Sequence, residues 1–99
     1  MTSKQRSFLK SISSNYDSLF QVGKQSITPE IIDAISEALE ARELIKISVL
    51  KNCADEPRDL ASIISERTRS QVVHVIGRKI VLYKQHPKKE KRKIILPID

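Results

Sequence analysis

Cysteine occurs once in this chain, glycine twice and tryptophan not at all, and two tyrosines and two phenylalanines are the only aromatic residues. A single cysteine cannot close an intramolecular disulfide, so a bridge-stapled secreted scaffold is excluded and a reducing, cytoplasmic setting is expected. Uninterrupted apolar runs are short, such as Ile94-Ile95-Leu96, far below the ~20 residues that span a bilayer. No apolar stretch of the kind found in secretory leaders follows Met1. The scarcity of aromatic rings leaves few platforms for stacking bases, which argues against single-strand stacking as a main binding mode. Ninety-nine residues fit one small domain and leave no room for a multidomain enzyme. A chain of that size buries only about 60–65% of its unfolded surface, so a deep enclosed pocket has little space.

Against these shortages stand 14 isoleucines, 8 leucines, 6 valines and the phenylalanines, enough apolar residues for a folded core. Charge is plentiful too, with 18 Lys+Arg against 12 Asp+Glu for a formal +6. It is unevenly spread. Residues 1–27 carry +3, residues 28–43 carry −4, residues 44–70 carry +1 and residues 71–99 carry +6. If the acidic segment faces away from the two basic ends, the surface is polarised, and clustered Lys/Arg of this density is the usual footprint of a polyanion partner. Nucleic acid is the first expectation; a membrane surface is not expected.

Thr2 and Gln5 have the spacing of a capping box, and Phe8, Leu9 and Ile12 then form one apolar stripe with Lys4, Arg6 and Lys10 largely off it. Ser13-Ser14-Asn15 ends this helix. Leu19 to Val22 reads as a short strand stopped by Gly23. Thr28 is a good N-cap with Pro29 at the first helical position, and Ile31, Ile32, Ile35, Ala38 and Leu39 repeat at helical spacing through about Arg42. The outer face of that helix, with Glu30, Asp33, Glu37 and Glu40, is acidic and should not touch nucleic acid. Leu44 to Leu50 alternates as a strand, Ile45, Ile47 and Val49 on one side and Lys46 and Ser48 on the other. A third helix starts at Asp55-Glu56-Pro57 and ends near Thr68. Val72–Ile76 and Lys79–Tyr83 are strands joined by Gly77-Arg78 as a type II′ hairpin. The order α-β-α-β-α-β-β predicts an α/β sandwich with a mixed four-stranded sheet, strands joined through a helix pairing in parallel. From Lys84 to Lys93 six of ten residues are basic, so this stretch reads as extended and solvated; residues 85–99 form a basic tail whose Ile94-Ile95-Leu96 either docks on the domain or stays loose.

No enzyme is expected. Cys53, His74 and His86 do not share metal-ligand spacing, no metal or cofactor is called for, and no nucleophile elbow, phosphate loop or dinucleotide fingerprint occurs. Two turns look like anion contacts instead. Gly23-Lys24-Gln25-Ser26 leads from a strand into a helix N-terminus, where small residues, free amides and a lysine favour a phosphate. Gly77-Arg78-Lys79 presents two cations at one edge of the sheet. Each turn could equally be a plain connector, and Tyr83 is either core packing or a base platform.

Several blocks resemble a known family: Lys4-Gln5-Arg6-Ser7-Phe8-Leu9, Val22-Gly23-Lys24, Ile27-Thr28, Ala38 to Lys46 (A-L-E-A-R-E-L-I-K) and Val75 to Tyr83 (V-I-G-R-K-I-V-L-Y). In this order, from about Thr2 to Leu96, they are similar to the bacterial YhbY-like proteins, the stand-alone form of the CRM domain (chloroplast RNA splicing and ribosome maturation). The resemblance implies a CRM domain over residues 1–84, a fold similar to the C-terminal domain of translation initiation factor three, and RNA binding linked to precursors of the large ribosomal subunit. It also implies a G-x-x-G loop likened to the RNA-clamping loop of KH domains. That loop falls on Gly23 to Ser26, with serine for the second glycine, which weakens the case for a left-handed backbone there. Arg69 stands where relatives often have a glycine closing the third helix.

The expected partner is therefore ribosomal RNA, held through phosphates by a monomeric cytoplasmic protein and recognised by shape. Lys4, Arg6 and Lys10 would form one bank, Gly23, Lys24, Gln25 and Ser26 the loop, Arg78 and Lys79 its extension, and the tail, Lys84, Lys88 and Lys89 included, a long-range attraction. The alternatives are an adaptor that binds ribosomal proteins through its acidic second helix, and a non-specific DNA binder.

Overall fold

In the computed structural model, which describes residues 1–98, the chain runs α1 (Ser3–Ser13), β1 (Phe20–Val22), α2 (Pro29–Arg42), β2 (Leu44–Val49), α3 (Pro57–Thr68), β3 (Gln71–Ile76), β4 (Lys79–Tyr83) and a 3₁₀ turn at Lys89–Lys91. Local chemistry sets the helix starts. Thr2 and Gln5 exchange hydrogen bonds in the capping box, at 3.0 and 3.1 Å. The Thr28 hydroxyl accepts from the Ile31 amide, and Pro29 and Pro57 occupy first-turn positions whose N–H would have no helical partner. None of the helices among the described residues is long and apolar enough to cross a membrane.

The sheet order is β1-β2-β4-β3. As expected, β1 and β2 pair in parallel and the β3–β4 hairpin is antiparallel, with a positive φ at Gly77 but not at Arg78, the pattern of a II′ turn. The parallel neighbour expected for β2 across α3 is not β3, because β4 lies between them, antiparallel to both. Burial explains the order. Ile80 to Tyr83 are buried on both faces, which suits an inner strand, whereas β3 exposes Gln71 and Ile76 and takes the edge.

Alternation divides the core in two. Ile45, Ile47 and Val49 of β2 and Ile80 and Leu82 of β4 pack under α2 and α3 against Ile35, Leu39, Leu60 and Ile64. On the opposite face Leu44, Val73, Val81 and Tyr83 meet Leu9 of α1, with Phe8, Ile12, Ile94 and Leu96 packed around them. Each fully buried Leu or Ile contributes about 1.5–3 kcal/mol. A bulge in β3 puts an extra residue between Val72 and His74, and the Arg6 guanidinium donates to the Val72 and Val73 carbonyls, both at 2.7 Å, fastening α1 to the bulge.

Residues 84–93, expected to be extended and solvated, are mostly exposed but fold back on the domain rather than extend from it. Glu43 is 1% exposed and accepts the N–H groups of His86 (2.7 Å), Lys93 (2.5 Å) and Ile94 (3.0 Å). Burial pushes its carboxyl up, but the three amides and the nearby His86 outweigh that and hold it below its ordinary value. Ile94 and Leu96 thereby reach the α1-side core, and Gln5 donates to the Pro97 carbonyl.

Two glycines are too few for all the left-handed corners. Ser26, Glu43 and Arg69 adopt φ of 56°, 67° and 57°. The serine in the loop thus keeps the left-handed backbone that its identity argued against, and Arg69 closes α3 in the conformation a glycine would favour.

Candidate nucleic-acid interface

α1 has 11 residues and is therefore only about 16 Å long, so it covers part of its sheet face and leaves the rest open. Two cross-strand rows run beside α1, with Ser48 and Val81 buried and their row neighbours exposed or half-buried. Gln21 lies opposite Ser48, Ser48 opposite Lys79 and Lys79 opposite Ile76, one residue from each strand. In the adjacent row Lys46 lies opposite Val81 and Val81 opposite His74. Gln21, Lys79 and Ile76 are exposed, Ile76 by 62%, and Lys46 and His74 are half-buried. Neither row contains a carboxylate.

The cations here belong to different elements. Lys10 comes from the last turn of α1, Lys46 from β2 and Lys79 from β4. The Lys79 ammonium donates to Ser48 Oγ at 2.5 Å and reaches Ser18 Oγ at 3.4 Å, and Ser18 and Ser48 are hydrogen-bonded to each other. Burial, and then the charges of Lys10 and Lys46, hold the His74 imidazole below its ordinary value. A neutral imidazole between two ammonium groups gains a proton most readily when an anion arrives.

The Gly23–Ser26 loop begins two residues past Gln21, at the edge of this face. The Ser26 amide donates to the Gly23 carbonyl at 2.9 Å, closing a turn. A Cβ on Gly23 would stand 3.3 Å from both Asn52 Oδ1 and Leu50 Cδ1, so the loop packs closely on the β2–α3 connection. The Ser26 hydroxyl donates to the Asp55 carboxylate. Its hydroxyl is committed, and it brings a negative charge to the loop. Lys24 and Gln25 remain exposed.

The remaining expected contacts divide. Arg78 donates from Nε to the Val49 carbonyl (2.8 Å) and from Nη2 to the Leu50 carbonyl (2.6 Å), so it braces the end of β2 beside the glycine loop. Arg6 is likewise engaged with the β3 bulge. Lys84 donates to the Thr68 carbonyl at the C-terminus of α3. Lys4 is exposed in the first turn of α1, six residues or about 9 Å along the helix from Lys10. Lys88 and Lys89 are exposed in the tail, whose His86, Lys91, Arg92 and Lys93 share a groove with Glu37 and Glu40 of α2. The acidic helix therefore does not face away from the basic tail. The structure gathers Lys10 and Lys79 on one face, with Lys24, Gln25 and Arg78 at its edge, and leaves Lys4, Lys84, Lys88 and Lys89 outside that group. It adds Lys46, which the alternation of β2 had marked as polar-side without showing which surface that side faced. Among the described residues, no group of three or more His, Cys, Asp or Glu could hold a metal ion.

A family model described as CRS1 / YhbY (CRM) domain matches residues 1–84. A Bacillus subtilis relative named "Probable RNA-binding protein YqeI" is 47% identical over 97 residues, covering 98% of this chain and 99% of the relative. A Haemophilus influenzae relative named "RNA-binding protein" is 29% identical over 97 residues, covering 98% of this chain and 95% of the relative. The solution structure of the hypothetical protein SAV1595 from Staphylococcus aureus is similar in fold, with a TM-score of 0.78 and 45% identity, covering 98% of this chain and 99% of that one.

Proposed function

This chain belongs to the CRS1 / YhbY (CRM) domain family, and from that membership and its cationic sheet face we propose that it binds ribosomal RNA of large-subunit precursors during ribosome assembly. The observation that carries the reading is the carboxylate-free pair of rows beside α1, with Lys10, Lys46 and Lys79 converging on it from three elements. The names of the Bacillus and Haemophilus relatives support its RNA-binding part.

Three ammonium groups, two on the sheet and one on α1, neutralise phosphates, and His74 adds a charge once an anion has docked. Lys24 and Arg78 extend the positive field around the turn end of the sheet. Contacts of this kind fix position without reading sequence, so selectivity comes from the shape of the folded RNA. The chain acts as a monomer in the cytoplasm. The acidic face of α2 is a weaker docking surface for a ribosomal protein, because the tail brings Lys91, Arg92 and Lys93 against Glu37 and Glu40.

Co-sedimentation with large-subunit precursors tests the reading. Lys46→Glu with Lys79→Glu is expected to abolish association, and Glu37→Lys with Glu40→Lys to preserve it. The reverse result would favour the adaptor.

A further inference from the structure

β1 is short. Its pairing with β2 starts at Phe20 opposite Ile47, just after the Leu19 amide donates to the Lys46 carbonyl at 2.8 Å. Residues two apart on a strand direct their main-chain groups to the same edge, so Leu44 turns its N–H and C=O the same way as Lys46. Among the described residues no β1 residue pairs with it. A groove of about 600 Å³ opens there, within the size range of small-ligand clefts. Tyr16 and Leu19 contribute apolar surface, and Arg42, Lys46 and Lys93 stand around it against the single carboxylate of Asp17. Tyr16 is 39% exposed.

We propose that this groove takes one unstacked nucleobase of the bound RNA, its ring against Tyr16 and its flanking phosphates on Arg42, Lys46 and Lys93. The proposal rests on the RNA-binding reading and adds a single-strand subsite to it. Continuity supports the choice of ligand. Lys46 belongs both to the cationic rows and to the groove, and Ser18, which lines the groove, is within reach of the Lys79 ammonium. An added peptide strand fits less well, because Leu44, unpaired on that edge, is only 1% exposed and the surrounding charge is mostly positive. Aromatic scarcity argues against stacking as the general mode of binding but leaves room for one stacked base.

Tyrosine fluorescence reads this site directly, since the chain has two tyrosines and no tryptophan. The buried Tyr83 hydroxyl has no hydrogen-bond partner among the described residues, so Tyr83→Phe leaves Tyr16 as sole reporter without removing a hydrogen bond. The probes are an RNA hairpin with an unpaired adenine loop and a blunt duplex of the same stem. The hairpin should quench Tyr16 and the duplex should not. Tyr16→Ala should weaken hairpin binding about tenfold and leave duplex binding unchanged, while Tyr16→Phe, which keeps the ring, should stay within about twofold of wild type. If Tyr16→Ala binds the hairpin like wild type, or weakens both probes equally, the subsite is overturned and the RNA-binding reading stands. If the wild-type chain binds neither probe, both fall.

Discussion

Changing Glu43 to Gln should release the C-terminal tail while leaving the sheet intact. The substitution keeps volume and backbone but removes the charge. Oε1 accepts from Lys93 and Ile94 and Oε2 from His86, so an amide in either orientation sets its NH₂ against at least one main-chain donor. Hydrogen bonds to a charged acceptor contribute about 1.5–3 kcal/mol each and neutral ones about 0.5–1.5, so losing one and weakening two amounts to about 3.5–6 kcal/mol. That cost has a ceiling. The tail can lift off and hydrate its amides, after which only the docking of half-buried Ile94 and Leu96 is forfeited, on the order of 1–2 kcal/mol per side chain. Amide hydrogen exchange distinguishes local from global loss. Lys93 and Ile94 should exchange much faster in Glu43→Gln, with Val81 in the central strand far less affected. pH supplies a second reading. A carboxyl whose value is depressed by docking stabilises the docked tail fully above its ordinary value of 4.5, and that contribution is lost as pH falls through the docked-state value. Wild type should therefore shed protection of these amides in acid, and the glutamine variant should lack this dependence. Unchanged protection of Lys93 and Ile94 in the variant would refute the reasoning.

Arg69→Gly should raise stability by about 0.5–1 kcal/mol in denaturant unfolding, because it relieves a left-handed side chain at the end of α3 and the gain is reduced by glycine's freer unfolded state. Phosphate arriving beside His74 should favour its protonation, so the complex takes up a proton and RNA affinity should rise as pH falls from about 7.5 to about 5.5. Affinity titrations of His74→Gln should show that rise abolished.

Much of the fold follows from short-range chemistry. The Thr2–Gln5 box, the Thr28-Pro29 start, the alternation of β2 and the Gly77 turn each involve residues within a few positions, so their physics is visible in the chain itself. Strand order was legible in principle, since Ile80-Val81-Leu82-Tyr83 is a continuous apolar run of the kind buried on both faces. What stayed hidden was long-range. Arg6 is claimed by a bulge 66 positions away, Arg78 by a strand end 29 positions away, and Glu43 by amides 43 to 51 positions away. A basic side chain near an unpaired carbonyl is taken up by it, and no local pattern marks which carbonyls a bulge or strand end will leave unpaired. The grouping of Lys10, Lys46 and Lys79 depends in the same way on where α1 stops covering the sheet.

The salt dependence of RNA affinity tests the central claim most directly. Between 50 and 300 mM monovalent salt, phosphate contacts by Lys10, Lys46 and Lys79 should make log affinity fall with log salt at a slope of about −2 to −3 or steeper. Lys46→Gln with Lys79→Gln should reduce the magnitude of that slope by about 2. A flat dependence, or a double variant with the wild-type slope, would contradict the account.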